Sequence, residues 1–386
     1  MKKTLIGILA IFAILLTGYA VLKTEFPDLQ PPLINKYVGE VEPSQAGSPY
    51  KTYFYQLSSI EKQAYNLILE HIYEMPEKIL VPNLTQTELD EVFKAILNDN
   101  PDLYFVGRKC TLKPELWNVF ISFEYIMTPG EYESAKADFK ERTDTIIASL
   151  SDPGDQFKTE LEIHDIIVRS CSYKIEEDDY IYSSSYGCLI NGKAACEGYS
   201  KAAKYLFDRV GIESALICGK ATPLDGIPGD HMWNVVKING DWYHLDCTWD
   251  DPVAKKNSNI RMYTYFNITD DKISSNHSEF SFDHSCIATA ENYYVRMSMR
   301  FDNYDGSCET KLRTMLLEKY NSGEKSITVD FVNESSYNNA FSSLITDKRI
   351  FRVLDGVHSN SGTGLSRRMN GYIADDKFYT ITFSFD

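Results

Sequence analysis

The period of the apolar positions changes several times along this chain, and each change marks a predicted element. Helical spacing over residues 58–73 follows a Ser58/Glu61 pair placed as a capping box. A second helix is predicted over 87–97, stopped by Asn98-Asp99-Asn100-Pro101, and a long one over 131–150, ended by Ser151-Asp152-Pro153-Gly154. Between them Val119, Ile121, Phe123 and Tyr125 alternate as a strand does. Phe157, Leu161, His164 and Val168 share a helical stripe, which makes His164 a packed helix residue. Residues 187–194 read as a loop, and 197–210 as a helix whose stripe is Ala202, Ala203, Leu206, Phe207 and Val210, with Gly211 as its stop. A strand at 231–238, a tight turn at Asn239-Gly240 and a return strand at 241–248 complete a hairpin.

After residue 286 the pattern restarts as helix 312–320, strand 326–332, helix 336–345 and strand 379–385. The stretch 359–371, rich in Ser, Gly and Arg, is expected to be a mobile loop. The boundaries that follow are an N-terminal α+β region at 51–154, a core at 155–286 and an accessory α/β module at 287–386. The proline-bearing stretch 24–50 reads as a linker.

The hairpin turns pattern into chemistry. A two-residue turn pairs Ile238 with Asp241, which sets Trp233 opposite Asp246 and His231 opposite Thr248. His231 and Asp246 then share a sheet face as diagonal neighbours. A change of one residue in the turn puts them on opposite faces. Cys196 opens the 197–210 helix, where unpaired N–H groups and the positive dipole end favour a thiolate. A thiol, an imidazole and a carboxylate are the parts of a nucleophilic acyl-transfer site. Burial is the plainer fate of a cysteine, and Cys171, Cys188, Cys218 and Cys247 are expected to be packed thiols. His244 falls on the face of Asp246, within reach of the site, and Trp233, Trp242 and Trp249 serve the core, the cleft wall or both.

The stretches carrying these residues resemble the transglutaminase-like superfamily. Small residues precede Cys196-Glu197-Gly198-Tyr199; His231, Trp233 and Asn234 follow; Trp242, Tyr243, Asp246, Thr248 and Trp249 close the pattern. The similarity is greatest to the bacterial extracytoplasmic cysteine peptidase branch, related to kyphoscoliosis-peptidase and cytokinesis-protein domains. It implies an α+β, papain-like or transglutaminase-like core, with the Cys196 helix packed on an antiparallel sheet carrying His231 and Asp246. It also implies Cys196 as nucleophile, His231 as general base and acid, and Asp246 as the group orienting the imidazole. An oxyanion hole would take the Cys196 N–H and one further donor, for which Tyr186 is the candidate. Thioester formation from an amide is implied, with peptide or isopeptide hydrolysis favoured over glutamine–amine cross-linking. An idle groove or a surface binding scaffold are the other readings.

Composition narrows the partners. Of 386 residues 43% are hydrophobic and 24% charged, as in a globular body, and the net charge of −16 disfavours nucleic acid and polyanionic surfaces. A protein or peptide substrate, such as a wall or surface protein, is the partner expected. No phosphate loop, metal-ligand spacing or cofactor motif is present, so no cofactor or metal is expected. Lys2 and Lys3 precede an apolar run at 5–22, which reads as a signal peptide or a membrane anchor, the membrane's only point of contact. Either makes the rest of the chain extracytoplasmic. A full disulfide framework is not expected from eight cysteines with one kept for catalysis; Cys286 with Cys308 is the pair to test.

Overall fold

The computed structural model describes residues 40–115, 118–176, 179–223, 226–251, 263–361 and 369–385. The apolar run at 5–22 and the first part of the linker lie outside them. So do residues 177–178 and, within the expected loop, 362–368. No helix among the described residues is long and apolar enough to cross a membrane.

These residues form two compact bodies. Residues 40–46, 53–97 and 107–125 make one, and residues 47–52, 98–106 and 126–385 the other. In the first, the Ser59–His71 helix starts where the capping box predicts, with the Ser58 N–H donating to Glu61 Oε2 at 2.7 Å. Its three-stranded sheet has the order Ile79–Val81, Asn118–Tyr125, Val106–Glu115. Only the middle strand was legible from alternation.

The second body holds the predicted core. Helix α1 (Gln156–Ser170) is followed by α2 (Cys196–Val210), which ends at Gly211 in the left-handed region, φ 75°. Strands β1 (Ser214–Ala221), β2 (Gly229–Ile238) and β3 (Asp241–Leu245) come next. The short helix α3 (Cys247–Asp250), β4 (Phe266–Ile268), α4 (Asp270–Ile273) and β5 (His277–Ser278) complete it. The sheet order is β5-β1-β2-β3-β4, with every neighbouring pair antiparallel. Neither β1, β4 nor β5 was predicted. The first is buried on both faces and so lacks a period of two, and the other two have three and two residues.

The hairpin has the predicted register. Ile238 pairs with Asp241 and Val235 with His244, around Asn239 and Gly240, both at positive φ (52° and 97°). One face of the sheet packs Ala215, Ile217, Trp233, Val235 and Trp242 with Tyr265, Ile268 and Phe378. The other face meets α2, where Asn234 Nδ2 donates to the Ser200 carbonyl at 3.0 Å. Beyond Leu245 the reading needs correction. The return strand stops there rather than at residue 248, because Asp246 caps α3 through its side chain.

The C-terminal stretch forms a four-stranded sheet in the order Arg300–Phe301, Ser326–Phe331, Thr380–Phe385, Met369–Asp375, the first pair parallel. Phe378 carries this sheet into the core cluster, and Lys272 of α4 donates to the Phe378 carbonyl at 3.2 Å. A helix (Arg349–Ser361) and the Met369–Asp375 strand take both ends of the segment expected to be a loop. Residues 187–194 are likewise not all loop, since Ser185–Leu189 is a helical turn and Lys193–Ala194 a short strand. All eight cysteines are free thiols, Cys286 and Cys308 included.

A buried polar network joins α1 to the floor of the sheet. Glu160 accepts from Asn267 Nδ2 at 2.7 Å, and His164 faces Asp250 (3.2 Å) and Asp165 (3.4 Å). His164 is thus packed, as its stripe predicts, but between carboxylates. Burial pushes the Glu160 carboxyl up to about 8, against the Asn267 hydrogen bond. Burial opposes the charge of His164, but Asp165 and Asp250 outweigh it and raise the imidazole to about 9. Both groups hold protons in the folded state that the unfolded chain releases earlier. Their stabilisation is complete at low pH and disappears as pH rises through about 8 for Glu160 and about 9 for His164. The urea midpoint should therefore fall between pH 6 and pH 9, and Glu160→Gln should flatten the part below pH 8. Parallel falls in wild type and Glu160→Gln would contradict this assignment.

Candidate active site

Cys196 is the first residue of α2, so its backbone N–H has no acceptor within the helix. The motif residues after it build that helix start. Glu197 is neutralised by Lys201, whose ammonium donates to Glu197 Oε1 (2.8 Å) and to the Tyr180 hydroxyl (3.0 Å). Gly198 permits close approach: a Cβ there would lie 2.7 Å from the Tyr182 carbonyl oxygen and 2.9 Å from that of Ser184. The Tyr199 hydroxyl donates to Asp251 Oδ2 at 2.5 Å, tying α2 to the residue that follows α3. With Asn234 on Ser200, these contacts fix the helix start against β2 and α3.

His231 on β2 and Asp246 at the start of α3 meet as the register requires. His231 Nε2 donates to Asp246 Oδ2 at 2.7 Å, and both groups are buried. The other oxygen of Asp246 accepts from the N–H groups of Thr248 (2.9 Å) and Trp249 (3.1 Å), so the cap that ends the strand also aims the carboxylate. With Nε2 engaged, Nδ1 of His231 is the nitrogen left to meet Cys196, with which the imidazole shares a side-chain hydrogen bond. Burial works against charge on His231, but Asp246 and Cys196 outweigh it and raise the imidazole to about 10. Burial likewise opposes ionisation of Asp246, yet His231 and His277 hold its carboxyl well below the usual range. The arrangement favours a protonated imidazole between thiol and carboxylate.

The other expected residues divide. Trp233 stacks on His231 (5.9 Å between ring centres, 20° between planes), and Trp249 lies 5.7 Å from it. Both aromatics shield the row. His244 does not touch the row. It accepts at Nδ1 from the Trp233 indole (3.0 Å) and faces Asp270 through Nε2 (2.9 Å), so it holds Trp233 in place. Burial lowers the His244 pKa, in keeping with a neutral ring. Tyr186 departs from the expectation. Its ring packs between Tyr104 (5.1 Å) and Phe139 (6.2 Å), an aromatic cluster formed around the helical turn the sequence hid. Tyr173 instead feels the charges of Cys196 and Asp246; burial and those charges raise its hydroxyl to about 12. Its backbone pairs with Ala194, two residues before the thiol.

One residue in contact with the row had no sequence signal. His277 donates from Nε2 to Asp246 Oδ2 at 3.1 Å. It lies on a two-residue strand with no period, far along the chain from the motif blocks.

Among the described residues two clusters bring three potential metal ligands together, His231 with Asp246 and His277, and His244 with Asp270 and Cys286. In the second, Nδ1 of His244 accepts from Trp233, so the proton sits on Nε2 and no lone pair faces a metal. In the first, Asp246 Oδ2 is already shared by two N–H donors.

Gly198→Ala should cost about 1–3 kcal/mol, because the clash is with backbone oxygens that cannot swing aside. The check is a lower urea midpoint at unchanged m-value. An unchanged midpoint would mean the helix start has slack that these contacts do not reveal.

Comparison with known proteins agrees with the motif blocks. Residues 141–247 match the model of the transglutaminase-like superfamily. No curated protein matches the chain. Among solved structures, a TGase is 13% identical, covering 51% of this chain and 60% of its own at a TM-score of 0.27. A candidate cysteine protease from Cytophaga hutchinsonii is 9% identical, covering 38% of this chain and 64% of its own at 0.25. The chain thus spans less than two thirds of either protein, and superpositions this partial carry no argument about the reaction. Helix α2 and strands β1–β3 lie within residues 141–247, the stretch that matches the transglutaminase-like superfamily.

Proposed function

We propose that this chain is an extracytoplasmic thiol enzyme that hydrolyses peptide or isopeptide bonds through a Cys196 thioester. The observation that carries the reading is the continuous row from Cys196 through His231 to Asp246, with the imidazole's two nitrogens assigned to different partners. Cys196 sulfur attacks the amide carbon, and the proton on His231 Nδ1 passes to the departing amine, breaking the C–N bond. Water then gives a proton to Nδ1 as its hydroxyl attacks the thioester, releasing the acid and restoring the thiolate. Asp246 keeps its charge throughout and holds the ring by Nε2. The Cys196 N–H supplies one oxyanion donor.

Cys196 is partly exposed while His231 and Asp246 are buried, so an acyl group on sulfur lies open to water. The extracytoplasmic setting rests on the apolar run at 5–22 after Lys2 and Lys3. The substrate class is a protein or peptide, and the net charge of −16 disfavours polyanionic partners.

Wild type and Cys196→Ala, incubated with a casein-type protein with and without a labelled primary amine, separate the outcomes by mass spectrometry. Cys196-dependent cleavage or deamidation without label is expected. Cys196-dependent incorporation of the amine would replace hydrolysis by cross-linking, and identical products from both proteins would remove the enzymatic reading. On any substrate that is turned over, Asp246→Asn should lower kcat/KM by roughly three orders of magnitude, through loss of the charge that holds the imidazolium. A loss below about tenfold would contradict the role given to Asp246.

A further inference from the structure

One carboxylate oxygen in the row serves two imidazoles. Asp246 Oδ2 accepts from His231 at 2.7 Å and from His277 at 3.1 Å, while Oδ1 is filled by the two backbone donors of the α3 cap. His277 is fully enclosed. Its ring lies 4.8 Å from those of Trp233 and Trp249, 5.3 Å from His231 and 5.7 Å from Tyr265. Strand β5 sets its backbone against Ala221 of β1, and Asn276 holds its Nδ1 at 2.7 Å while donating to the Tyr265 hydroxyl. Among the described residues the only acceptor facing its Nε2 is the carboxylate, so that nitrogen carries the proton whichever way the Asn276 amide is turned.

We infer that His277 is a positioning residue for the reaction proposed above: it fixes Asp246 Oδ2 as a second donor beside His231 and divides that oxygen between two donors. The inference rests on the thiol-enzyme reading. A carboxylate oxygen already bound by a second N–H is a weaker acceptor for the first. His231 therefore holds its proton less tightly than a sole partner of Asp246 would, and surrenders it more readily to the leaving amine. The ionisable groups packed around His277 are Asp246 itself, His231 on β2, His244 on β3 and Tyr265 before β4. Cys196 lies behind His231, and Asp270 behind His244. Replacing His277 by an apolar ring leaves Oδ2 to His231 alone and removes any positive charge from beside it; both changes make His231 keep its proton to higher pH.

The test reads Cys196 without needing a substrate. Iodoacetamide alkylation of Cys196, followed by peptide mass spectrometry from about pH 5 to about pH 12, reports the thiolate–imidazolium pair and its loss when His231 deprotonates. His277→Phe should move the upper inflection upward by about one pH unit, a tenfold gain in proton affinity. His277→Gln, which keeps an N–H donor, should stay within roughly 0.3 unit of wild type. Superimposed wild-type and His277→Phe profiles would overturn the inference. Nitrogen NMR of the wild type labelled in histidine gives an arm that no folding defect can spoil, since His277 Nε2 must carry a proton near neutral pH. An unprotonated Nε2 there would overturn the inference as well. A wild type with no reactive thiolate near pH 6 would instead overturn the thiol-enzyme reading on which it rests.

Discussion

The hydrogen bond between His231 and Asp246 depends on the Asn239-Gly240 turn, and the candidate site depends on that bond. Two residues at positive φ fix the register of β2 and β3, and the register places the imidazole and the carboxylate on one face. Asp246 then does three things from one position. It ends the β3 strand, caps α3 with Oδ1, and presents Oδ2 to His231. Capping and aiming are one act here, because the backbone N–H groups that satisfy the helix start leave only one oxygen for the imidazole.

Around that bond the residues of the motif blocks act mainly as construction. Gly198 lets the helix start approach Tyr182 and Ser184, Asn234 ties α2 to β2, and Tyr199 reaches the chain beyond α3. Trp233 and Trp249 enclose the imidazole, and His244 holds the Trp233 indole in place. The pattern therefore records how a thiol on one element is held against an imidazole on another. Substrate choice is not written in it.

What the sequence revealed follows from what each element had to satisfy. Helix α2 was legible because it has one buried face and a glycine stop, and the hairpin because its turn needs Asn-Gly. Strand β1 was not, since a strand covered on both faces loses its alternation, nor was the Ser185–Leu189 turn, with too few residues to show a helical period. The same limits apply to the site. Cys196, His231 and Asp246 lie on strongly patterned segments, and the structure brings them together. Tyr186 was drawn from a segment with no pattern and packs into an aromatic cluster, while His277, on a two-residue strand, joins Asp246 without any signal in its surroundings.

The proposed reaction requires Asp246 to hold a protonated His231 beside Cys196 at the start of α2. Thiolate absorbance at pH 6 measures that pair directly, taken as the difference between wild type and Cys196→Ser and repeated in an Asp246→Asn background. The account predicts one thiolate in the first difference and its loss in the second. An equal thiolate signal in both backgrounds would contradict it, because Cys196 would then owe its charge to the helix start alone.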